Sequence, residues 1–389
     1  MIYFNNKIKT LKENNLYRKL NYIQTSQQPR VKINNKSFLL FGSNNYLGIA
    51  DSPILKKSAI ESINHYGIGS GGSRLTTGSY DVHRMLEVKL AKFKHCDDAI
   101  IYSSGYMANI GVISSLCNRH WTVFSDKLNH ASIIDGIKLS GAKMVRYNHC
   151  DTQDLISKIK KNKGQYNLLV TDGIFSMDGD IAPLNDIVSI CKKEDILTMV
   201  DDAHGTGVLG DNGSGCEDFL NLKNAIDIKV GTLSKAIGCE GGFVCSSYEV
   251  IDYLRNTSRS FIYSTSLSPV LASCAITSIN YIERNHILRE SLIEKSSYFK
   301  VKLKEIGLNT LFSITPIIPI FIGDSRIALK FSSLLYEEGI YIPCIRPPTV
   351  PEGTSRLRIS LMATHSYDEI DYALKLIKKI ANELKIIGD

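Results

Sequence analysis

The chain has 389 residues, 43% of them hydrophobic and 22% charged, which excludes a disordered or collagen-like protein and allows a large buried core. A net charge of +7 without a run of five like charges mildly favours anionic ligands and does not call for nucleic acid. Nine cysteines, an odd number with no C-x-x-C spacing, fit neither a disulfide framework nor a zinc site, and no apolar window of 18 residues suggests a membrane span, so a cytoplasmic protein is expected.

In chain order, residues 1–45 read as an N-terminal arm or partial lobe, 46–282 as a large domain and 283–389 as a smaller α+β domain. The segment DVHRMLEVKLAKF sets Val82, Met85, Leu86, Leu90 and Phe93 on one apolar stripe, as in a core-facing helix. Short β-rich runs follow at 99–103, 121–125, 168–172, 197–202, 227–231 and 241–245. Helical patterns lie between several of them, in MANIGVISSLC, TQDLISKIKK and APLNDIVSICKKE. Such alternation predicts an α/β fold with a mostly parallel sheet and crossover helices. A long helical stretch after Pro269 leads into TPIIPIFIGD, a helix around IALKFSSLLYEEG, and SRLRISLMATHS.

Four segments could carry chemistry. Gly67, Gly69 and Gly72 have G-x-G-x-x-G spacing but follow a helical pattern, so they do not form a dinucleotide fingerprint; a loop near a ligand and a plain turn both remain open. In YSSGYMAN a strand gives way to a helix, whose first amides suit a phosphate. The run LTMVDDAHGTG delivers Asp201, Asp202 and His204 at the carboxyl end of an apolar strand, and nothing else in the chain completes a metal-ligand set around them. In GTLSKAIG, Lys235 stands beside Thr232 and Ser234 in a loop of small residues, where desolvation would favour the nucleophilic amine. An amine, a strand-end carboxylate, a histidine and a phosphate cradle are together what pyridoxal 5'-phosphate (PLP) requires.

From about residue 38 onward the sequence resembles the PLP-dependent α-oxoamine synthases of fold type I. The likeness runs in order through FGSNNYLG, GSGGSRLTTG, SSGYMAN, LNHASIIDG, TDGIFSMDGD, VDDAHGTGVLG, GTLSKAIG, YSTSLSP and RPPTVPEGTSRLRIS. The resemblance implies a large domain with a mostly parallel central sheet, a smaller α+β C-terminal domain and a homodimer. It makes Lys235 the Schiff-base lysine and Asp201 the partner of the pyridine nitrogen. It sets His130 against the ring, Ser176 and His204 near the phenolic oxygen, Gly105 and Tyr106 in the cofactor-binding turn, and Thr232 at the phosphate. Ser264 and Thr265 match a pair that reaches the neighbouring subunit's phosphate. Arg358 matches the residue that holds the amino-acid carboxylate, and Asn44, Thr349 and Arg18 match substrate contacts. The branch it is most like joins L-alanine to a pimeloyl thioester, on coenzyme A or acyl carrier protein, with loss of carbon dioxide. A glycine C-acetyltransferase is the nearest alternative, and a non-catalytic partner subunit is the alternative of a different class.

Overall fold

The computed structural model describes residues 1–387. Two compact units emerge: one comprises Met1–Gly48, Met177–Gly179 and the chain from Glu290 onward, the other Ile49–Ser176 and Asp180–Arg289.

The smaller unit opens with a helix, Ile2–Glu13, followed by a hairpin of β1 (Arg30–Ile33) and β2 (Lys36–Leu40). Its two-residue turn is Asn34–Asn35, both at positive φ, which asparagine tolerates and which matches the twist of the paired strands.

The larger unit is built on seven strands: β3 (Asp98–Tyr102), β4 (Trp121–Asp126), β5 (Lys143–Tyr147), β6 (Tyr166–Asp172), β7 (Leu197–Asp201), β8 (Ile228–Thr232) and β9 (Gly242–Ser246). They lie in the order β3-β9-β8-β7-β6-β4-β5, and only the pairings made by β9 are antiparallel. Every residue of β3, β8 and β9 is buried, as expected where helices cover both faces. Ile100, Val123, Leu168, Val170, Met199, Val230 and Val244 from the strands pack with Val112, Ile113, Ile133 and Ile137 from helices in one core. The smaller unit is completed by β10 (Ile317–Gly323), β11 (Ile340–Tyr341), β12 (Cys344–Ile345) and β13 (Ser355–Ser360); β11 joins the opening hairpin, and β13 lies between β10 and β12. Among the described residues, no helix is long and apolar enough to cross a membrane.

Three sequence expectations are corrected. Met85 is 57% exposed, so the buried stripe of its helix is Val82, Leu86, Leu90 and Phe93, joined by His83 and Glu87. The helical stretch after Pro269 is two helices, Pro269–Arg284 and His286–Glu305, parted at Asn285. Strand β5 had gone unread, because it is the sheet's edge and buries only Val145 and Tyr147 of its five residues.

Three ion pairs, made by Lys94 and His149, tie loops to the carboxyl edge of the large sheet. Lys94 Nζ, fully buried, meets Asp202 Oδ2 at 2.6 Å and Thr206 Oγ1 at 3.2 Å, fixing the turn that carries His204. His149 lies between Asp126 (3.1 Å) and Asp180 (2.9 Å), with its ring edge-on to Phe175. Burial opposes protonation of this imidazole, but hydrogen bonds to the two carboxylates prevail and push its pKa up to about 12. A group raised in this way stabilises the fold fully below its unfolded pKa of 6.5 and loses the contribution as pH climbs through the folded value. We therefore expect His149→Gln to cost about 3 kcal/mol at acid to neutral pH. The deficit, measured by urea unfolding across pH, should shrink from about pH 7 towards pH 11. A constant deficit would mean that His149 acts by packing alone.

Candidate active site

Strands β6 and β7 run in register, so Asp172 lies opposite Asp201 at their carboxyl ends, and Thr232 closes the next strand at the same edge. This is the edge where open α/β sheets bind ligands. Asp201 is buried; its Oδ1 accepts from the Ala203 amide at 3.0 Å and its Oδ2 from Asn109 Nδ2 at 2.6 Å. His130 caps the helix Ala131–Ser140, its ring nitrogen accepting from the Ser132 amide, while its own amide donates to Asp172 Oδ2 at 3.1 Å.

Asp201 and Lys235 both act electrostatically on His130 and on Asp172. Burial lowers the pKa of His130, the Lys235 charge lowers it further, and Asp201 opposes both. The Asp172 carboxyl is pushed well above its ordinary range, chiefly by burial and then by the neighbouring Asp201. Its Oδ1 is buried without a hydrogen-bond partner. Lys235 is half-buried three residues beyond β8, in a turn closed by the Gly238 amide on its carbonyl (2.9 Å). His204 is buried and Ser176 half-buried, the latter next to Phe175, whose amide bonds the Asp180 carbonyl at 3.0 Å.

A cradle forms where β3 ends and the helix Gly105–Leu116 begins. Ser104 caps that helix by accepting from the Met107 amide, and the other first-turn amides have no acceptor within a helix. Close approach makes position 105 tight and requires glycine at 242. A Cβ on Gly105 would stand 3.3 Å from Thr232 Cβ, and one on Gly242 would stand 2.3 Å from the Ser104 carbonyl oxygen. Thr232 Oγ1 donates to the Gly241 carbonyl at 2.8 Å and lies 2.6 Å from Ser234 Oγ. Tyr106 is 42% exposed, meets the His130 ring edge-on at 6.2 Å, and donates its hydroxyl to Asp135.

The glycine segment follows the helix Pro53–Tyr66, not a strand. It pairs with the segment that carries Ser264 and Thr265: Ser73 bridges to Thr265, and the Ser266 amide donates to the Gly72 carbonyl at 3.0 Å.

In the smaller unit the four expected substrate residues form two pairs. Arg358, buried on β13, donates to Ser360 Oγ (2.7 Å) and Asn44 Oδ1 (3.1 Å). Arg18 Nη2 donates to Thr349 Oγ1 at 3.4 Å. The arm bearing Arg18 is strapped by Arg346, which donates to the Asn15 carbonyl at 2.6 Å and the Tyr17 carbonyl at 2.8 Å. Sequence reading missed Asn109, Ser132, Asp172 and Arg346. Asn109 does sit in the quoted SSGYMAN motif, but only the folded helix shows that it reaches Asp201.

An acid at a strand end, an amine, hydroxyls and free helix amides match the ring nitrogen, aldehyde and phosphate of PLP, so the larger unit has the donor set of a type I PLP enzyme. Residues 36–377 match the aminotransferase class I and II family. The 8-amino-7-oxononanoate synthase of Lysinibacillus sphaericus is 49% identical over 385 residues, covering 99% of both chains. Among solved structures, serine palmitoyltransferase from S. paucimobilis with a bound PLP–myriocin aldimine has a TM-score of 0.94 at 31% identity, over 99% of this chain and 98% of that one. An 8-amino-7-oxononanoate synthase from Francisella tularensis has a TM-score of 0.77 at 32% identity, over 89% and 98%. The chain belongs to the aminotransferase class I and II family and, within it, to the PLP-dependent α-oxoamine synthases.

Proposed function

We propose that the protein is a PLP-dependent acyltransferase that condenses L-alanine with a pimeloyl thioester, with loss of carbon dioxide, to give 8-amino-7-oxononanoate in biotin biosynthesis. The observation that carries this reading is the 49% identity, over nearly the whole chain, to an enzyme named for that product.

Bound PLP supplies an aldehyde that condenses with amines and a ring that withdraws negative charge from a substrate Cα. Lys235 would hold the coenzyme by Nζ, and Nζ, once displaced by the amine of alanine, would be free to take the proton from the alanine Cα. Asp201 keeps a proton on the ring nitrogen, and the hydrogen bond from Asn109 holds that carboxylate in place. His130 restrains the ring plane, and Ser176 and His204 bind at the phenolic oxygen. Gly105, Tyr106 and Thr232 hold the phosphate, for which the first-turn amides and the tight Gly105–Thr232 approach leave a backbone-lined cradle. Arg358 binds the alanine carboxylate with a guanidinium already oriented by Ser360 and Asn44. Asn44, Thr349 and Arg18 contact substrate.

The enzyme works in the cytoplasm as a homodimer in which Ser264 and Thr265 of one subunit reach the phosphate held by the other. The exposed position of Thr265 supports this arrangement. The pimeloyl group arrives on coenzyme A or on acyl carrier protein, both anionic and suited to a chain of net charge +7.

The test is to incubate the protein and PLP with alanine or glycine against pimeloyl and acetyl thioesters, then identify the amino ketone by mass. The expected product is 8-amino-7-oxononanoate from alanine and the pimeloyl donor. Product from glycine and acetyl-coenzyme A alone would move the assignment to a glycine C-acetyltransferase. No amino ketone from any pair would leave the non-catalytic subunit standing.

A further inference from the structure

The polar network behind Asp201 has a direction, because the chemistry of each member limits what it donates and accepts. An ionised carboxylate only accepts, so the amide nitrogen of Asn109 is the atom that faces Asp201 Oδ2 at 2.6 Å. The second hydrogen of that nitrogen points to Ser132 Oγ, 2.9 Å away, which makes the serine oxygen an acceptor in that contact. The backbone amide of Ser132 approaches His130 Nδ1 from 3.3 Å and needs its lone pair, so Nδ1 carries no hydrogen and the serine hydroxyl, 2.7 Å away, donates to it as well. Two donors therefore converge on Nδ1. Asn109 and Ser132 are 1% and 0% exposed, so bulk water cannot replace either of them.

We propose that Asn109 and Ser132 are positioning residues that hold His130 as the neutral tautomer with its hydrogen on Nε2, keeping positive charge off the ring assigned to the coenzyme face. This rests on the reading of His130 and Asp201 as coenzyme contacts, and it supplies the charge state that reading leaves open. An imidazolium at His130 would compete with the ring nitrogen for Asp201 and repel Lys235. The charged groups around His130 act in both directions. Lys235 disfavours its protonation, and Asp201 and Asp135 favour it. Asp172, bonded to the His130 amide, adds no acceptor to the ring in these contacts. The converging donors, together with burial, settle the balance toward the neutral ring.

The experiment is nitrogen NMR of the holoenzyme labelled at histidine, with the His130 signals assigned by their loss in His130→Gln. The expected result is an unprotonated Nδ1 and a protonated Nε2 across neutral pH, in the coenzyme-loaded protein and after the coenzyme is stripped. In Ser132→Ala, which removes one donor to Nδ1, the ring should titrate about one unit higher, and the visible coenzyme band should acquire that pH dependence. Asn109→Ala, which frees the serine hydroxyl to turn away, should move both readouts in the same sense and provides the test if Ser132→Ala does not fold. A hydrogen on Nδ1, or a doubly protonated ring, in the wild-type holoenzyme at neutral pH overturns the inference. So does a His130 titration unmoved by either variant. Failure of the coenzyme reading is separately visible as a wild-type protein without the band.

Discussion

Lys235→Ala is expected to fold, to lose the visible absorption of lysine-linked coenzyme, and to turn over alanine and the pimeloyl thioester at least about 10³-fold more slowly. The size of the effect follows from the two uses proposed for one nitrogen, as the coenzyme's anchor and, once released, as the base for the Cα proton. Folding should survive because the loop around position 235 is closed by other atoms. The Gly238 amide bonds the backbone carbonyl of Lys235, Thr232 bonds the Gly241 carbonyl, and the Leu233 amide bonds the same carbonyl at 2.9 Å. An absorbance spectrum and a turnover assay on the purified variant decide the matter. A protein that keeps both the band and the activity removes Lys235 from its assigned role.

Asp201→Asn should keep PLP bound while exchange of the alanine Cα proton with solvent falls about 10²–10³-fold. In the proposed role the negative carboxylate would keep a proton, and so a positive charge, on the ring nitrogen toward which negative charge from the alanine Cα flows, and an amide of the same shape would not hold that proton. Its Oδ1 contact to the Ala203 amide can be kept by the amide oxygen, so the chain need not move. On the other side the new amide would present a donor to Asn109 Nδ2, and the Asn109 side chain would have to turn its unbonded Oδ1 inward. Deuterium incorporation into alanine, followed by proton NMR, reads the step directly. Exchange at the wild-type rate would show that the ring nitrogen takes its charge from elsewhere.

Much of the larger unit was legible because its strands are short β-branched runs closed by polar or glycine residues, and six of the seven could be placed to within about two residues. The seventh, Lys143–Tyr147, is an edge strand whose half-exposed pattern lacks that signature. Met85 was misassigned for a related reason. Helical spacing defines a stripe but not its width, and packing covers Leu86 and Leu90 while leaving Met85 in solvent. Lys235, Asp201 and His204 could be singled out because each follows an apolar run at a probable strand end, where a charged group is costly without a purpose. Asn109 and Ser132 carry no such contrast. A polar residue inside a helix reads as unremarkable until the neighbour it bonds is known.

By itself, the order of residues determined the alternation of strands and helices, the family, and the side chains offered at the sheet's carboxyl edge, because these depend on local pattern and on residue identity. Only the tertiary structure decided that Asp172 and Asp201 stand in register, that Asn109 and Ser132 connect Asp201 to His130, and that Arg18 meets Thr349 while Arg358 meets Asn44. Those contacts join residues distant along the chain, 92 positions apart for Asn109 and Asp201 and 331 for Arg18 and Thr349. Hydrogen bonds of a few ångströms between such residues exist only after the sheet has set its strand order, so no local pattern encodes them.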